Sequence, residues 1–198
     1  PSRIANDNFR WEANRKFEYA IEVGILKDRV QISISHYQNR SGNQLVSYAI
    51  PLLTGFGSYQ ANLPAIVQNT GWEFELYTKT IQKTSLTWSF NFNFTIPRNE
   101  LKSFQNFKAS NYASLLELGT DITRITGYKF EDVDPSTGVP VYAGQIGSSS
   151  TNPYYNYTVG KQTPDFYGGF GNTIAFKGWQ FDIFAQFAKQ KSLGSIQY

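Results

Sequence analysis

Leu86–Ile96 reads LTWSFNFNFTI and carries the clearest structural signal in the chain. Every second residue from Leu86 is large and apolar, and the residues between them are Thr, Ser or Asn. This period of two predicts a β-strand, because successive side chains of a strand point to opposite faces of the sheet. About 11 residues at roughly 3.3 Å each, tilted by about 45°, rise about 25 Å, the height of the lipid-facing band of an outer-membrane barrel. The pattern therefore indicates a strand with lipid on one face and water on the other.

The composition of the 198 residues favours the same class of fold. Aromatic residues are 17% of the chain, equal to the charged fraction, while the mean hydropathy is still negative at -0.40. A barrel with aromatic girdles and a polar interior explains this combination. No stretch of the sequence approaches the about 20 consecutive apolar residues of a membrane-spanning helix.

Residue counts disfavour several classes of site. The chain has no Cys and only one His, so we expect no disulfide framework, no metal site and no cofactor. The net charge of +3 is small and the basic residues are scattered, which disfavours nucleic-acid binding. The sequence contains no Met and no signal peptide, so we expect it to be an internal piece of a longer polypeptide.

Alternation elsewhere predicts about six strands in three antiparallel hairpins, at about 15–50, 71–97 and 165–190. Six strands do not close a barrel, since the smallest known barrels have about eight. We therefore predict an all-β fold, namely a segment of a larger antiparallel, up-and-down transmembrane β-barrel. The short turns are expected at Leu26–Arg29, Thr80–Ser85 and Lys177–Gly178.

Long external loops are predicted at about 51–70 and 98–164, where Gly, Pro, Ser and Asn interrupt the alternation. We expect Pro97 to end its strand and Leu45–Ile50 to extend the second strand. Some helical character is expected at Asn111–Leu118. Short turns at one end and long loops at the other are typical of transmembrane barrels, whose short turns are periplasmic.

The tryptophans lie near the predicted strand ends. Trp88 and Trp179 are beside short turns, whereas Trp11 and Trp72 are next to the long segments. Because Trp prefers the two membrane–water interfaces, we predict that these four residues are membrane-interface aromatics.

Three stretches together carry a resemblance to a known family. They are WEANRKFEYAIEVGILKDRVQISISHY (Trp11–Tyr37), NTGWEFEL (Asn69–Leu76) and PDFYGGFGNTIAFKGWQFDIFAQ (Pro164–Gln186). In order and spacing they resemble the late barrel region of the SusC/RagA type, the TonB-dependent outer-membrane transporters of Bacteroidetes-like bacteria. The similarity spans most of the chain.

The resemblance implies an intact protein with a plugged barrel of about 22 strands. Such a barrel would import a nutrient, a glycan or a peptide, through the Gram-negative outer membrane and would be driven by the TonB complex. A SusD-like surface lipoprotein would cover its outer mouth, and outer-membrane lipid would surround it. We expect the plug domain to lie outside this sequence, and we expect no catalytic activity.

Acidic residues are predicted on the polar face of the strands. One interpretation is a carboxylate pair for acid–base chemistry, as in glycoside hydrolysis. The other is a set of charges that line a wet lumen, and alternation alone places carboxylates two residues apart on that face. We therefore predict that the lumen-facing residues are Glu18, Glu22, Glu73, Glu75 and Asp182.

His36 is the only histidine, and strict alternation places it on the apolar face, near the point where its strand leaves the membrane. We interpret it as a structural histidine rather than a member of a catalytic triad. Gly168–Gly171 is glycine-rich, but no helix follows it to hold a phosphate. We interpret these glycines as sites of strand curvature or of close backbone approach.

Tyr154, Tyr155 and Tyr157 lie in a polar loop and are the candidates for contact with a ligand or partner. The alternative is an ordinary loop whose rings pack on its neighbours. Two other classes of protein remain open: a soluble extracellular β-sandwich (an adhesin or carbohydrate-binding module) and a β-fold glycoside hydrolase. A sandwich covers its apolar faces with a second sheet, whereas a barrel exposes its apolar face to lipid.

Overall fold

The computed structural model describes residues 6–7, 9–50, 53, 55–113, 115–127, 130–142 and 157–191. Within these ranges no helix is long and apolar enough to cross a membrane. A short 3-10 turn occurs at Phe107–Ala109. The strands are β1 (Ala13–Ile25), β2 (Val30–Gly42), β3 (Leu45–Ala49), β4 (Ser58–Asn62), β5 (Ala65–Lys83), β6 (Leu86–Phe104), β7 (Arg124–Gly127), β8 (Phe130–Val133), β9 (Pro140–Tyr142), β10 (Tyr157–Lys161), β11 (Phe166–Phe176) and β12 (Trp179–Lys189).

Six of these strands form one antiparallel sheet in the order β1-β2-β5-β6-β11-β12. Each predicted hairpin is present, and the fold class predicted from the sequence is confirmed. The turn between β11 and β12 consists of Lys177 and Gly178, with φ angles of 45° and 88°. Positive φ at both positions matches the right-handed twist of the flanking strands, as two-residue hairpin turns require.

The register gives the sheet two chemically different faces. Ile21, Ile34, Phe74 and Phe94 are successive cross-strand partners and form one row of the apolar face. The partners one residue along each strand, such as Ser33 and its neighbours, belong to the polar face. Among the described residues no second sheet covers the apolar face, where Ile21 is 66% exposed.

Three predicted strand limits differ from the structure. β5 begins at Ala65 instead of about 71 and continues to Lys83, into the turn predicted at Thr80–Ser85. β6 runs past Pro97 to Phe104. Pro97 does not end β6 because pairing with β11 stops at Thr95, and beyond that point β6 is paired only with β5. A strand tolerates the missing N–H of proline where one of its sides is an edge.

The extension of β5 and β6 carries the main buried cluster. Leu101 is 1% exposed and lies opposite Val67. Val46 of β3 and Leu116 of the connection after β6 pack against the cluster. The burial of apolar side chains explains why pairing continues beyond the predicted limits. The cluster consists of Leu63, Ala65, Val67, Leu101 and Phe104.

The segments between the hairpins also depart from the predictions. Leu45–Ala49 does not extend β2 but pairs with β4, inside the predicted loop 51–70. At 111–118 the described residues form turns, including a hydrogen bond from Leu116 N to Tyr112 O at 2.9 Å, and no continuous helix. β7 pairs with β10, and β8 pairs with β9, within the predicted loop 98–164. The pairing of β7 with β10 joins strands distant in the sequence and follows from no local pattern, whereas β8 and β9 form a local hairpin.

Candidate functional site

The candidate site is the polar face of the sheet. Glu22, Ser33 and Glu75 are successive partners across β1, β2 and β5. Ser35 Oγ donates a hydrogen bond to Glu73 Oε2 at 3.2 Å. On β12, Asp182 Oδ1 accepts one from Thr173 Oγ1 at 2.6 Å. The predicted carboxylates Glu18, Glu22, Glu73, Glu75 and Asp182 therefore share one face of the sheet.

A groove of about 750 Å³ lies on this face, toward the end that carries the short turns. Two carboxylates of the face, Glu22 and Glu75, line it together with Asp28 of the turn. Side chains that both donate and accept hydrogen bonds complete the lining, including Gln31, Ser33, Asn91 and Asn93. The groove can therefore hold water or a hydrogen-bonding ligand, and its charge favours a cationic one.

At the other end, the chain after β6 folds back and bonds to the edge of β6 that β11 no longer covers. Leu101 N donates to Thr120 O and Gly119 N donates to Leu101 O, both at 2.9 Å. Asn99 joins the two parts, because its Nδ2 donates to Asn69 Oδ1 at 2.7 Å and its Oδ1 accepts from Ile122 N at 3.0 Å. The folded connection 105–123 therefore lies at the mouth of the polar face. We call it the cap.

Asp121 links the cap to the segment between β10 and β11, and Asp165 of that segment forms its own ion pairs. Asp121 accepts hydrogen bonds from Thr123 and Thr163. Asp165 pairs with Lys161 at 3.3 Å and with Lys189 at 3.6 Å. The hydrogen bond from Lys161 and the nearby positive charges lower the pKa of Asp165 below its ordinary value of 3.8.

Glycines of β11 allow close packing against the neighbouring strands, as predicted from the sequence. A side chain on Gly168 would collide with the carbonyl of Asn93, and one on Gly169 would lie 3.1 Å from the carbonyl of Ala185. Both glycines are in the middle of a strand. The nucleotide-binding interpretation therefore lacks the required helix.

The amino-acid sequence is similar to those of TonB-dependent receptors. No family model matches the chain. It is 24% identical over 209 residues to TonB-dependent receptor P3 of Formosa agariphila, covering 92% of this chain and 21% of that protein. TonB-dependent receptor P39 of the same organism is 31% identical over 132 residues, which are 65% of this chain and 12% of the relative. TonB-dependent receptor SusC of Bacteroides thetaiotaomicron is 23% identical over 98% of this chain and 20% of its own length.

Solved structures show the same fold. The RagAB peptide importer matches with a TM-score of 0.74 in its closed-closed state and 0.75 in its open-open state. The matches cover 96% and 94% of this chain at 20% and 21% identity. The chain is similar to a segment of SusC/RagA-type TonB-dependent receptors over most of its length. It spans 22% and 21% of those two chains, about the same share as of TonB-dependent receptor P3 and SusC.

In this SusC/RagA-type segment, the predicted aromatic residues lie at distinct heights on the sheet. Trp72 is next to His36 near the outer limit of the apolar face, with ring centroids 4.8 Å apart. Trp88 and Trp179 are near the short turns, and Trp88 Nε1 donates to Asn172 Oδ1 at 3.1 Å. Trp11 precedes β1 and is 91% exposed.

His36 lies on the apolar face, as alternation predicts. Its ring stacks on Tyr19 at a centroid distance of 5.2 Å, and its buried Nδ1 has no hydrogen-bond partner among the described residues. Tyr154 and Tyr155 lie outside the described residues of the SusC/RagA-type segment. The backbone of Tyr157 pairs with Gly127 in β10, and its side chain is not among those described.

The continuation of β6 and the cap after it were not predicted from the sequence. Beyond Pro97 the alternation changes phase, because Arg98, Glu100 and Lys102 are charged and Leu101 falls among the positions that are polar in Leu86–Ile96. A change of phase gives no local signal that the same strand continues.

Proposed function

We propose that this chain forms about six strands in the wall of a TonB-dependent nutrient importer in the Gram-negative outer membrane. The observation that carries the proposal is the division of one continuous sheet into an uncovered apolar face and an acidic polar face. Lipid fits the first face, and a wet lumen fits the second. Glu18, Glu22, Glu73, Glu75 and Asp182 would then line the lumen.

The same arrangement supports the orientation. The short turns of the three hairpins would be periplasmic, and the cap would lie at the external mouth. Trp72 would lie at the external surface of the outer membrane, with Trp11 beyond it. Trp88 and Trp179 would lie at the periplasmic surface of the same membrane. A β-sandwich is less well supported, because the apolar face has no facing sheet among the described residues.

The substrate and partners of the whole protein are proposed from the relatives. The similar solved structures are of the RagAB peptide importer, and one of the similar sequences is that of TonB-dependent receptor SusC. We propose uptake of a peptide or a glycan, together with a SusD-like surface lipoprotein and the TonB complex. No catalytic step is proposed, because the carboxylates of this face are spread over several strands. Tyr154, Tyr155 and Tyr157 remain candidates for contact with the substrate or lipoprotein.

Single cysteines test the two faces, because this segment contains none. In a full-length parent without other cysteines, Asn93→Cys should react with a small water-soluble thiol reagent. Phe92→Cys, its neighbour on the opposite face, should react only with a lipid-soluble reagent. Equal reaction of both variants with the water-soluble reagent would show that the apolar face is not in lipid.

The same approach tests orientation. Leu53→Cys, at a fully exposed position, should react in intact cells, and Lys27→Cys in the turn after β1 only after the outer membrane is permeabilised. The reverse order would invert the proposed topology. Loss of peptide or glycan uptake on deletion of the parent gene, and on disruption of TonB, tests the importer itself.

A further inference from the structure

The face that carries the apolar band changes character over three successive rows of cross-strand partners. The lowest of the three rows is aromatic, and the rings of Tyr19 and His36 stack at 5.2 Å. Above it the same face becomes polar, and then basic at the β1 edge. From the band outward, the rows are Tyr19–His36–Trp72–Ile96, Phe17–Gln38–Thr70–Arg98 and Arg15–Arg40–Gln68–Glu100.

Arg15 and Arg40 are directly opposite each other across β1 and β2. Both side chains are exposed, and Arg40 Nε donates to the neutral Gln68 Oε1 at 2.7 Å. Neither guanidinium forms an ion pair within the part of the chain that the structure describes, and Glu100 pairs with Lys102 at 2.8 Å instead. Like charges directly opposite each other destabilise an antiparallel pair. An anion between the two guanidinium groups would remove that repulsion.

A cavity of about 610 Å³ lies beside this pair. Arg15 and Arg40 line it together with the small residues Ala13, Gly42 and Ser103, and larger side chains such as Ile66 and Phe104 complete the lining. The small residues leave room beside the two cations, and two planar guanidinium groups can hold one phosphate through several parallel hydrogen bonds. The cavity therefore has the size and the charge for a phosphorylated headgroup.

We propose that Arg15 and Arg40 bind a phosphate of a phosphorylated glycolipid in the outer leaflet. This inference rests on the proposed function, which places the apolar band in the outer membrane with the cap outside. Arg15 lies four residues along β1 from Tyr19, about 13 Å of strand, so the two arginines are two rows beyond the aromatic row. A phosphate at this height continues into acyl chains that lie on the band below, where a free anion would find no further contact.

The test uses the full-length parent purified in detergent and titrated with bisphosphorylated lipid A, with the bound lipid counted by native mass spectrometry. The double variant R15Q/R40Q should bind lipid A about tenfold more weakly, because it loses its charge-assisted hydrogen bonds to phosphate. The matched control K83Q/K177Q removes two charges at the short-turn end and should bind like the unmodified protein. Lipid A from which both phosphates have been removed should bind the unmodified protein as weakly as bisphosphorylated lipid A binds the double variant.

Three results would overturn the assignment. They are unchanged lipid A binding by R15Q/R40Q, equal binding of phosphorylated and dephosphorylated lipid A, and binding of inorganic phosphate alone as tight as that of lipid A. The last result would assign the pair to a free anion. If the parent fractionates with the outer membrane and still shows one of these results, only the lipid site fails. If it does not fractionate with the outer membrane, the proposed function fails first.

Discussion

The ring of Tyr37 on β2 covers Gly71, its cross-strand partner on β5. A Cβ added to Gly71 would lie 2.5 Å from Tyr37 Cζ and Oη. Because Gly71 has no side chain, the ring of Tyr37 packs directly on its backbone. Gly71 lies within β5, where the strand is paired on both sides. An aromatic ring over a glycine on the neighbouring strand protects a weak point of a sheet.

We predict that Gly71→Ala destabilises this part of the sheet by about 1–3 kcal/mol, the usual cost of overpacking. Tyr37 must leave the position it holds above the glycine, which exposes the paired backbone of β2 and β5. Amide hydrogen exchange of the full-length parent, followed by mass spectrometry of peptides from these two strands, measures the effect.

Gly42→Ala is the matched control for this prediction. Its added Cβ would have its nearest neighbours at 3.7 Å, an ordinary contact, and its φ is not in the left-handed region. Exchange in β2 and β5 should stay close to that of the unmodified protein. If the amides of β2 and β5 exchange at the same rate in Gly71→Ala and Gly42→Ala, the position of Tyr37 does not depend on the absence of a side chain at Gly71.

The two faces of the sheet were predictable because alternation is local. The six main strands and the position of each carboxylate follow from the period of two alone. Pro97 was misread because its effect depends on whether β11 still pairs with β6 at that point, which no local pattern records. The partner of Leu45–Ala49 was missed because β4 lies in a stretch whose Gly, Pro, Ser and Asn residues predicted a loop.

Leu101→Ala should unfold the cap without unfolding the main sheet. Leu101 is the most deeply buried side chain among the described residues, and its loss should cost about 2–5 kcal/mol through lost burial and the cavity left behind. Phe107, Tyr112 and Leu116 of the cap pack against the cluster that contains Leu101, so the cap loosens when the cluster loses this side chain. Limited proteolysis of intact cells should then cleave the connection 105–123 faster.

Leu115→Ala provides the control within the same connection. Leu115 is 65% exposed, so its truncation should leave the rate of cleavage nearly unchanged. Equal protection of the cap in the two variants would mean that the Leu101 cluster does not hold it.

Ile34→Lys and Ser33→Lys test the two faces with the same substitution at adjacent positions. Ile34 lies in the apolar row with Phe74, and a lysine in the middle of the lipid-facing band costs about 2–4 kcal/mol. Ser33 lies between Glu22 and Glu75, so a lysine there would be attracted by two carboxylates. The amount of parent protein in the outer-membrane fraction should fall for Ile34→Lys and not for Ser33→Lys. A similar fall for both would contradict the assignment of the faces.

Asp134 controls a turn between β8 and β9 whose stability depends on pH. Its Oδ1 accepts hydrogen bonds from Ser136 Oγ at 2.6 Å and Ser136 N at 2.8 Å, which lower the pKa of Asp134 from 3.8 to about 2. Because the pKa is lower in the folded turn, its contribution is complete above pH 3.8 and is lost as the pH falls through about 2. The bonds are local, so a peptide of residues 130–142 titrated by NMR should show the low pKa, and Ser136→Ala should return it toward 3.8. An Asp134 that titrates near 3.8 in both peptides would show that these hydrogen bonds do not form the turn.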